Sequence, residues 1–121
     1  MTALKLRILF DGAMIGPGKA ALLEGIAATG SISAAGRQMQ MSYKRAWMLV
    51  EEMNAAFAEP LVASARGGQG GGGARLTEFG AEVLRLYREV VTRSEAAAAA
   101  PIAALEGMLR KKTESELSGG K

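Results

Sequence analysis

The stretch Ser31-Ile32-Ser33-Ala34-Ala35-Gly36-Arg37-Gln38-Met39-Gln40-Met41-Ser42-Tyr43-Lys44-Arg45-Ala46-Trp47-Met48 decides how this chain is read. Ser31 can cap a short helix over roughly 32–39, with Ile32, Ala35 and Met39 as its apolar face. Gln40 and Met41 form a tight break. Ser42 can cap a second helix reaching about Phe57, in which Ala46, Val50, Met53 and Phe57 recur at spacings of four, three and four. That spacing marks one buried stripe. The first turn of the same helix, Ser42, Tyr43, Lys44 and Arg45, is polar and basic, and Met48, one turn further along, is counted with it among the expected DNA-contacting residues.

Two short helices across a break of two or three residues, the second opening on a basic turn, form a helix-turn-helix pattern. Such a second helix must bury one side to be held rigidly. Near its N-terminus the other side must be polar, because those residues reach base edges in a major groove. Arg45 suits a guanine, since a guanidinium addresses O6 and N7 together, a pairing that discriminates by roughly 1–3 kcal/mol. Lys44 suits a phosphate, and the hydroxyls of Ser42 and Tyr43 can donate to phosphates, as can Ser31 and Ser33; Arg37 adds charge nearby. Taken alone, these residues read equally well as a solvated helix end.

The flanking sequence tips that balance. Upstream, Leu4, Leu6, Ile8 and Phe10 alternate as in a half-buried strand over residues 4–10, and Asp11-Gly12 and Gly16-Pro17-Gly18 break the chain. Pro17 stands near the start of a helix running to about Thr29, with Leu22, Leu23 and Ile26 on one face and Gly30 as its stop. Downstream, Pro60 ends the basic helix, residues 61–65 read as a strand, and 74–76 read as its return. Six glycines fill the seven positions 67–73 between them. This is a hairpin with a bare tip. Arg66 and Arg75 flank it, and its residues Gly67, Gly68, Gln69 and Gly70 can lie along a nucleic-acid backbone where side chains would clash. A run so rich in glycine also reads as a disordered linker, and the two readings are compatible if the tip orders only on DNA.

Thr77 can cap a long helix in which Phe79, Val83, Leu86 and Val90 recur at four, three and four, with Tyr87 and Val91 beside them. The seam can be read as an intramolecular core stripe or as a dimer interface; because the three shorter helices have one another to pack on, it is expected to pair with a second copy. Residues Ala96–Ala100 continue helical propensity until Pro101 interrupts it; a last segment follows at about 102–109, and the polar tail 110–121 is expected to be disordered.

Composition narrows the function classes. Cys and His are absent and Asp11 is the only Asp, which removes thiol nucleophiles, disulfides, zinc sites and imidazole bases; no enzyme chemistry and no cofactor are expected. No apolar run is long enough to span a bilayer and no secretory leader is evident, so a cytoplasmic protein without membrane contact is expected. The formal charge is +3, and all of it falls on residues 1–76, with eight basic and five acidic residues, while residues 77–121 carry seven of each. No acid occurs between Glu24 and Glu51, a window that holds Arg37, Lys44 and Arg45. The positive field sits where phosphate is expected.

Two glycine motifs are decoys. The segment 13–20 nearly matches a nucleotide-binding P-loop, but Ala20 stands where a hydroxyl must hold magnesium. The GxGxxG within 68–73 is almost automatic in a run of glycines, and no parallel sheet fits around it.

The stretches 30–35, Met41-Ser42-Tyr43-Lys44-Arg45-Ala46-Trp47, Glu52-Met53-Asn54, Glu59-Pro60-Leu61-Val62, 67–74 and Leu76-Thr77-Glu78-Phe79-Gly80 resemble the N-terminal domain of ModE-type molybdate-responsive regulators. The resemblance covers about residues 4–95. It implies a LysR-like winged helix that dimerises through its long C-terminal helix. DNA contacts then fall on residues 42–45 and the wing around 67–75, and the dimer contact on the 79–91 seam. Trp47 matches the family's tryptophan and is read either as packing between helices, the favoured expectation, or as touching the nucleic-acid backbone. Full-length members carry molybdate-binding domains beyond this region, and no molybdate binding is expected of these 121 residues. Gln40 departs from the left-handed Gly common in such turns, at a cost on the order of 1 kcal/mol.

The expected fold is therefore α+β, mostly α: a winged helix-turn-helix over residues 1–76, a long dimerisation helix over 77–109 and a tail over 110–121. The expected partners are double-stranded DNA and a second copy of the chain. The competing expectation is a protein-interaction module that pairs with a full-length regulator and has no operator specificity of its own.

Overall fold

Asp11-Gly12 turns the chain back on itself. Strands β1 (Ile8–Phe10) and β2 (Ala13–Ile15) pair antiparallel, with Phe10 opposite Ala13 and Ile8 opposite Ile15. Gly12 takes φ of +88°, open to a residue without Cβ. The computed structural model describes residues 2–65 and 73–110. In it the strand expected over 4–10 is confined to 8–10, and the sequence reading has no strand at 13–15. Three residues carry too little alternation to show; the Asp-Gly pair is the one local signal for that hairpin.

Helix α1 (Pro17–Thr29) opens on Pro17, whose missing N–H costs nothing there, and ends at Gly30, with φ of +74° and its N–H bonded to the Ile26 carbonyl at 2.8 Å. Leu22, Leu23 and Ile26 are wholly buried. Helix α2 (Ile32–Gln38) is capped by the Ser31 hydroxyl, which accepts from the Ala34 N–H at 3.0 Å. Helix α3 (Tyr43–Ala56) is capped by Ser42, which accepts from the Arg45 N–H at 3.0 Å.

Between α2 and α3, Gln40 adopts φ of +60°, the left-handed geometry expected at that position. The Met41 N–H closes the turn on the Gly36 carbonyl at 3.0 Å. The two helices cross closely because Gly36 has no side chain: a Cβ there would lie 2.9 Å from Cβ of Ala46.

Strands β3 (Val62–Ala65) and β4 (Gly73–Leu76) pair antiparallel, with Val62 opposite Leu76 and Ala65 opposite Gly73. The Ala74 N–H bonds the Gly30 carbonyl at 2.9 Å and fastens the hairpin base to the end of α1. Asn54 fastens it to α3. Its Oδ1 accepts from the N–H of Leu61 at 2.8 Å and of Val62 at 3.2 Å, and its Nδ2 donates to the Val62 carbonyl at 3.1 Å. The tip residues Arg66, Gly67, Gly68, Gln69 and Gly70 lie outside the described residues, as does the tail from 111.

Helix α4 (Glu78–Ala97) is capped by Thr77, whose hydroxyl accepts from the Gly80 N–H at 2.8 Å and donates to the Pro60 carbonyl at 2.7 Å. It gives way at Ala98 to α5 (Ala99–Gly107). Pro101 explains the break. It offers no N–H to the Ala97 carbonyl and its ring would collide with it, whereas in the first turn of a new helix it fits.

One core joins all of this: Leu22, Leu23 and Ile26 of α1, Ala35 of α2, Ala46, Val50 and Met53 of α3, Leu61, Val62 and Ala74 at the hairpin, and Leu84 and Tyr87 of α4. Each leucine buried to this degree contributes roughly 1.5–3 kcal/mol. Because α4 supplies Leu84 and Tyr87, it shares the core of residues 1–76 instead of standing apart from it.

Candidate nucleic-acid interface

The buried stripe of α3 is Ala46, Val50 and Met53, with Leu49 and Phe57 packed against the core at its edge. At about 100° per residue, Lys44, Met48 and Glu51 fall roughly opposite that stripe. Tyr43 and Trp47 turn toward the hairpin base, and Arg45 toward the other flank. All six are exposed. Among the described residues no ion pair engages Lys44 or Arg45. Both cations are thus exposed on the first turn of a helix held rigidly from behind.

The Ser42 hydroxyl accepts the Arg45 N–H, which leaves its own O–H available to a phosphate oxygen. Ser31 caps α2 while sharing a 3.2 Å hydrogen bond with Ser33 Oγ. A shallow groove runs between the start of α2, the first half of α3 and the hairpin base. It is lined by Ser31, Ser33, Tyr43, Trp47, Ser64 and Ala74. Arg37, in the last turn of α2, and Arg75, on β4 opposite Ala63, are exposed. The structure thus gathers Ser31, Ser33, Tyr43 and the start of α3 around one groove. Arg66 and the glycine tip, 67–70, fall outside the described residues.

Trp47 departs from the favoured sequence reading. It is not in the core but 45% exposed, lining the groove between α2, α3 and the hairpin base. Ala46, one residue earlier, takes the inward position, and a step of about 100° carries Trp47 past the edge of the buried stripe. A helical wheel on Ala46, Val50 and Met53 finds this from sequence; residue size alone misleads.

The other expected contact surface is on α4, and here two apolar rows compete. Gly80, Leu84 and Tyr87 are buried, with Val91 packed against the same core. The Tyr87 hydroxyl donates to the Leu6 carbonyl at 2.6 Å, and burial pushes its pKa above the ordinary tyrosine value. Tyr87 therefore serves its own monomer, and so, in part, does Val91. Phe79 and Val83 are half-buried, while Leu86 and Val90 are 46% and 41% exposed. With Ile8, Phe10, Ile15, Phe57 and Val83, they line an almost wholly apolar depression between the N-terminal hairpin and α4. Elsewhere on α4, Arg85 forks onto Glu82 at 3.0 and 2.7 Å and holds that carboxyl below its usual range. Arg88 donates to Glu24 at 2.7 Å and ties α4 to α1.

Three helices on a common core, the third presenting a basic first turn and followed by a two-stranded hairpin, define a protein of the winged helix-turn-helix class. More narrowly, the chain belongs to the lysR family of bacterial regulatory helix-turn-helix proteins, whose family model matches residues 19–81. It is 49% identical over 76 residues to the molybdenum-pterin-binding protein MopB of Rhodobacter capsulatus, a match covering 63% of this chain and 28% of that one. It is 45% identical over 76 residues to the transcriptional regulator ModE of Yersinia pestis, covering 63% and 29%. Against the DNA-binding transcriptional dual regulator ModE of Escherichia coli (strain K12) it is 45% identical over 71 residues, covering 59% and 27%. The ModE-type resemblance read from the sequence thus stands, and the chain spans less than a third of the length of these relatives. A chain of the solved structure titled "Crystal structure of CbnR_DBD-DNA complex" superposes with a TM-score of 0.56 at 18% identity, over 73% of this chain and 95% of that one, which is a likeness of fold. Among the described residues no helix is long and apolar enough to cross a membrane.

Proposed function

We propose that this chain is a sequence-specific, DNA-binding transcriptional regulator that acts as a homodimer on a pseudo-palindromic operator and carries no enzyme activity. The observation that carries the reading is the pairing on α3 of a buried stripe with Lys44 and Arg45, exposed on its first turn and, among the described residues, without an ion pair. In this reading Arg45 addresses a guanine and Lys44 a phosphate, while Ser31, Ser33, Ser42 and Tyr43 donate to the backbone. Arg37 and Arg75 extend the positive field on either side. The second copy docks on the depression between the N-terminal hairpin and α4, covering Phe10, Leu86 and Val90. Two-fold symmetry then sets the recognition helices about 34 Å apart or a multiple of it.

The names of the relatives support target genes concerned with molybdenum, reached from the cytoplasm; molybdate binding by these residues is not part of the proposal. Gel filtration of the pure chain and fluorescence-anisotropy titration on DNA upstream of its own operon test the reading together. A dimer whose affinity for that DNA far exceeds its affinity for a scrambled duplex supports it. A monomer, or equal affinity for both duplexes, rejects it.

A further inference from the structure

Polar contacts leave part of the α3 face unexplained. Met48 and Trp47 are adjacent, large and apolar, and 50% and 45% exposed. Scattered exposed apolar residues need no explanation, but two consecutive ones, about 100° apart on the outward half of a helix otherwise built for a polyanion, do. Lys44 and Arg45 lie within one turn of them, in the window from Glu24 to Glu51 that contains no acid. Glu51, one turn further on and also exposed, bounds the patch and would repel phosphates beyond it. The charge pattern therefore commits the first two turns of α3, and the patch with them, to nucleic acid. It argues against a protein partner at this place.

A duplex offers few apolar groups to such a patch. In the major groove the base edges present donors, acceptors and one hydrocarbon substituent, the C5-methyl of thymine. Met48 stands roughly opposite the buried stripe of α3, the position that meets the groove floor. Its unbranched thioether adapts to a small apolar target. Trp47 adjoins it on the side of the groove lined by Ser31 and Ser33, and its ring can close one wall around a methyl group.

Building on the DNA-binding reading above, we infer that Met48 and Trp47 form a thymine-selecting patch, so that each half-site contains at least one thymine recognised through its methyl group. Arg45 and the patch then read different letters, one by hydrogen bonds and the other by apolar contact.

The test uses the whole chain and a duplex selected by it from a randomised pool. Affinity is measured on that duplex and on copies in which single thymines are replaced by deoxyuridine, which lacks only the methyl group. At one or two positions per half-site the replacement weakens binding about fourfold, the loss expected for one buried methyl. In Met48→Ala and Trp47→Ala the parent affinity falls and the same replacement has no further effect, whereas Met48→Leu keeps the sensitivity. Both side chains are exposed, so these variants keep the fold, and circular dichroism verifies it. Equal affinity for thymine and deoxyuridine at every position overturns the inference while leaving sequence-specific binding intact, as does an undiminished deoxyuridine effect in both alanine variants. A pool that yields no preferred duplex overturns the DNA-reading proposal itself, and the inference with it.

Discussion

Gly80 backs so closely onto the Leu61 carbonyl that a Cβ on it would stand 2.1 Å from the oxygen. This contact sets α4 against the base of the hairpin, and it is backbone against backbone, with no flexible side chain to yield. Gly80→Ala therefore forces α4 away from β3. The general cost of such overpacking is roughly 1–3 kcal/mol, and the rigid neighbour places this site at the upper end. We expect the melting temperature to fall by on the order of 10 °C. A drop of only a degree or two would show that the two elements slide apart freely.

Asn54 holds the hairpin base from the side of α3 through three hydrogen bonds. Asn54→Ala strands two amides and a carbonyl in a partly buried place, where each unsatisfied group costs roughly 1–3 kcal/mol unless water reaches it. The expected result is a lower urea midpoint together with faster hydrogen exchange at Leu61 and Val62 than elsewhere in the core. Uniform acceleration across all elements would instead point to a loss of global stability alone.

These two contacts mark the limit of what the sequence discloses. The caps at Ser31, Ser42 and Thr77 and the stop at Gly30 are legible because capping is local chemistry: the donor lies three residues from its acceptor, or the helix ends in a geometry only Gly adopts freely. The exposure of Lys44 and Arg45 follows from the stripe behind them. Helix α4 shows why periodicity runs out. Phe79, Val83, Leu86 and Val90 and the row Gly80, Leu84, Tyr87 and Val91 repeat at the same four-three-four interval, one position apart. Which row is more deeply buried is decided by the partner surface, and much of that surface, Leu6, α1 and Leu61, is remote in sequence. Asn54 and Gly80 are invisible for the same reason, since their partners lie about seven and nineteen residues away with no pattern linking them.

Tyr87 titrates in a direction that stability can report. Burial raises its pKa, so the fold favours the neutral phenol and the unfolded chain releases that proton first as pH rises. The unfolded state then binds fewer protons than the native state, and stability declines from about pH 10 upward, the ordinary tyrosine range. Below that range the contribution is fully present. At pH 7, Tyr87→Phe is expected to be less stable by roughly 1 kcal/mol through loss of the bond to Leu6. The gap should narrow between pH 9.5 and about 11 in paired thermal melts. A gap independent of pH would mean that the phenol ionises as easily in the fold as outside it.

Gln40 sits at φ of +60° in the turn that orients α3. Left-handed geometry costs a residue with Cβ roughly 1–2 kcal/mol, and Gly gives back about 0.5–1 kcal/mol through the greater freedom of the unfolded chain. The difference predicts that Gln40→Gly stabilises by about 0.5–1 kcal/mol, measured as a raised urea midpoint with an unchanged slope. Destabilisation would show that the glutamine side chain contributes a contact outweighing the strain.

Lys44 and Arg45 separate affinity from specificity. Under the proposed assignment, Lys44→Ala removes one phosphate contact per protomer. It weakens binding to all duplexes alike, and in a dimer it makes the plot of log affinity against log salt shallower by about 2. Arg45→Ala removes a base contact, relaxes preference at one position per half-site by roughly 1–3 kcal/mol, and leaves the salt slope almost unchanged. The two variants are compared by binding a randomised duplex pool and by titration at several salt concentrations. Lys44 stands nearer the outward meridian of α3 than Arg45, so the converse result has a physical route: its ammonium can meet a guanine while the guanidinium grips the backbone. A flattened base preference in Lys44→Ala, with an unaltered one in Arg45→Ala, would exchange the two roles. An unaltered preference in both would remove base reading from this turn altogether.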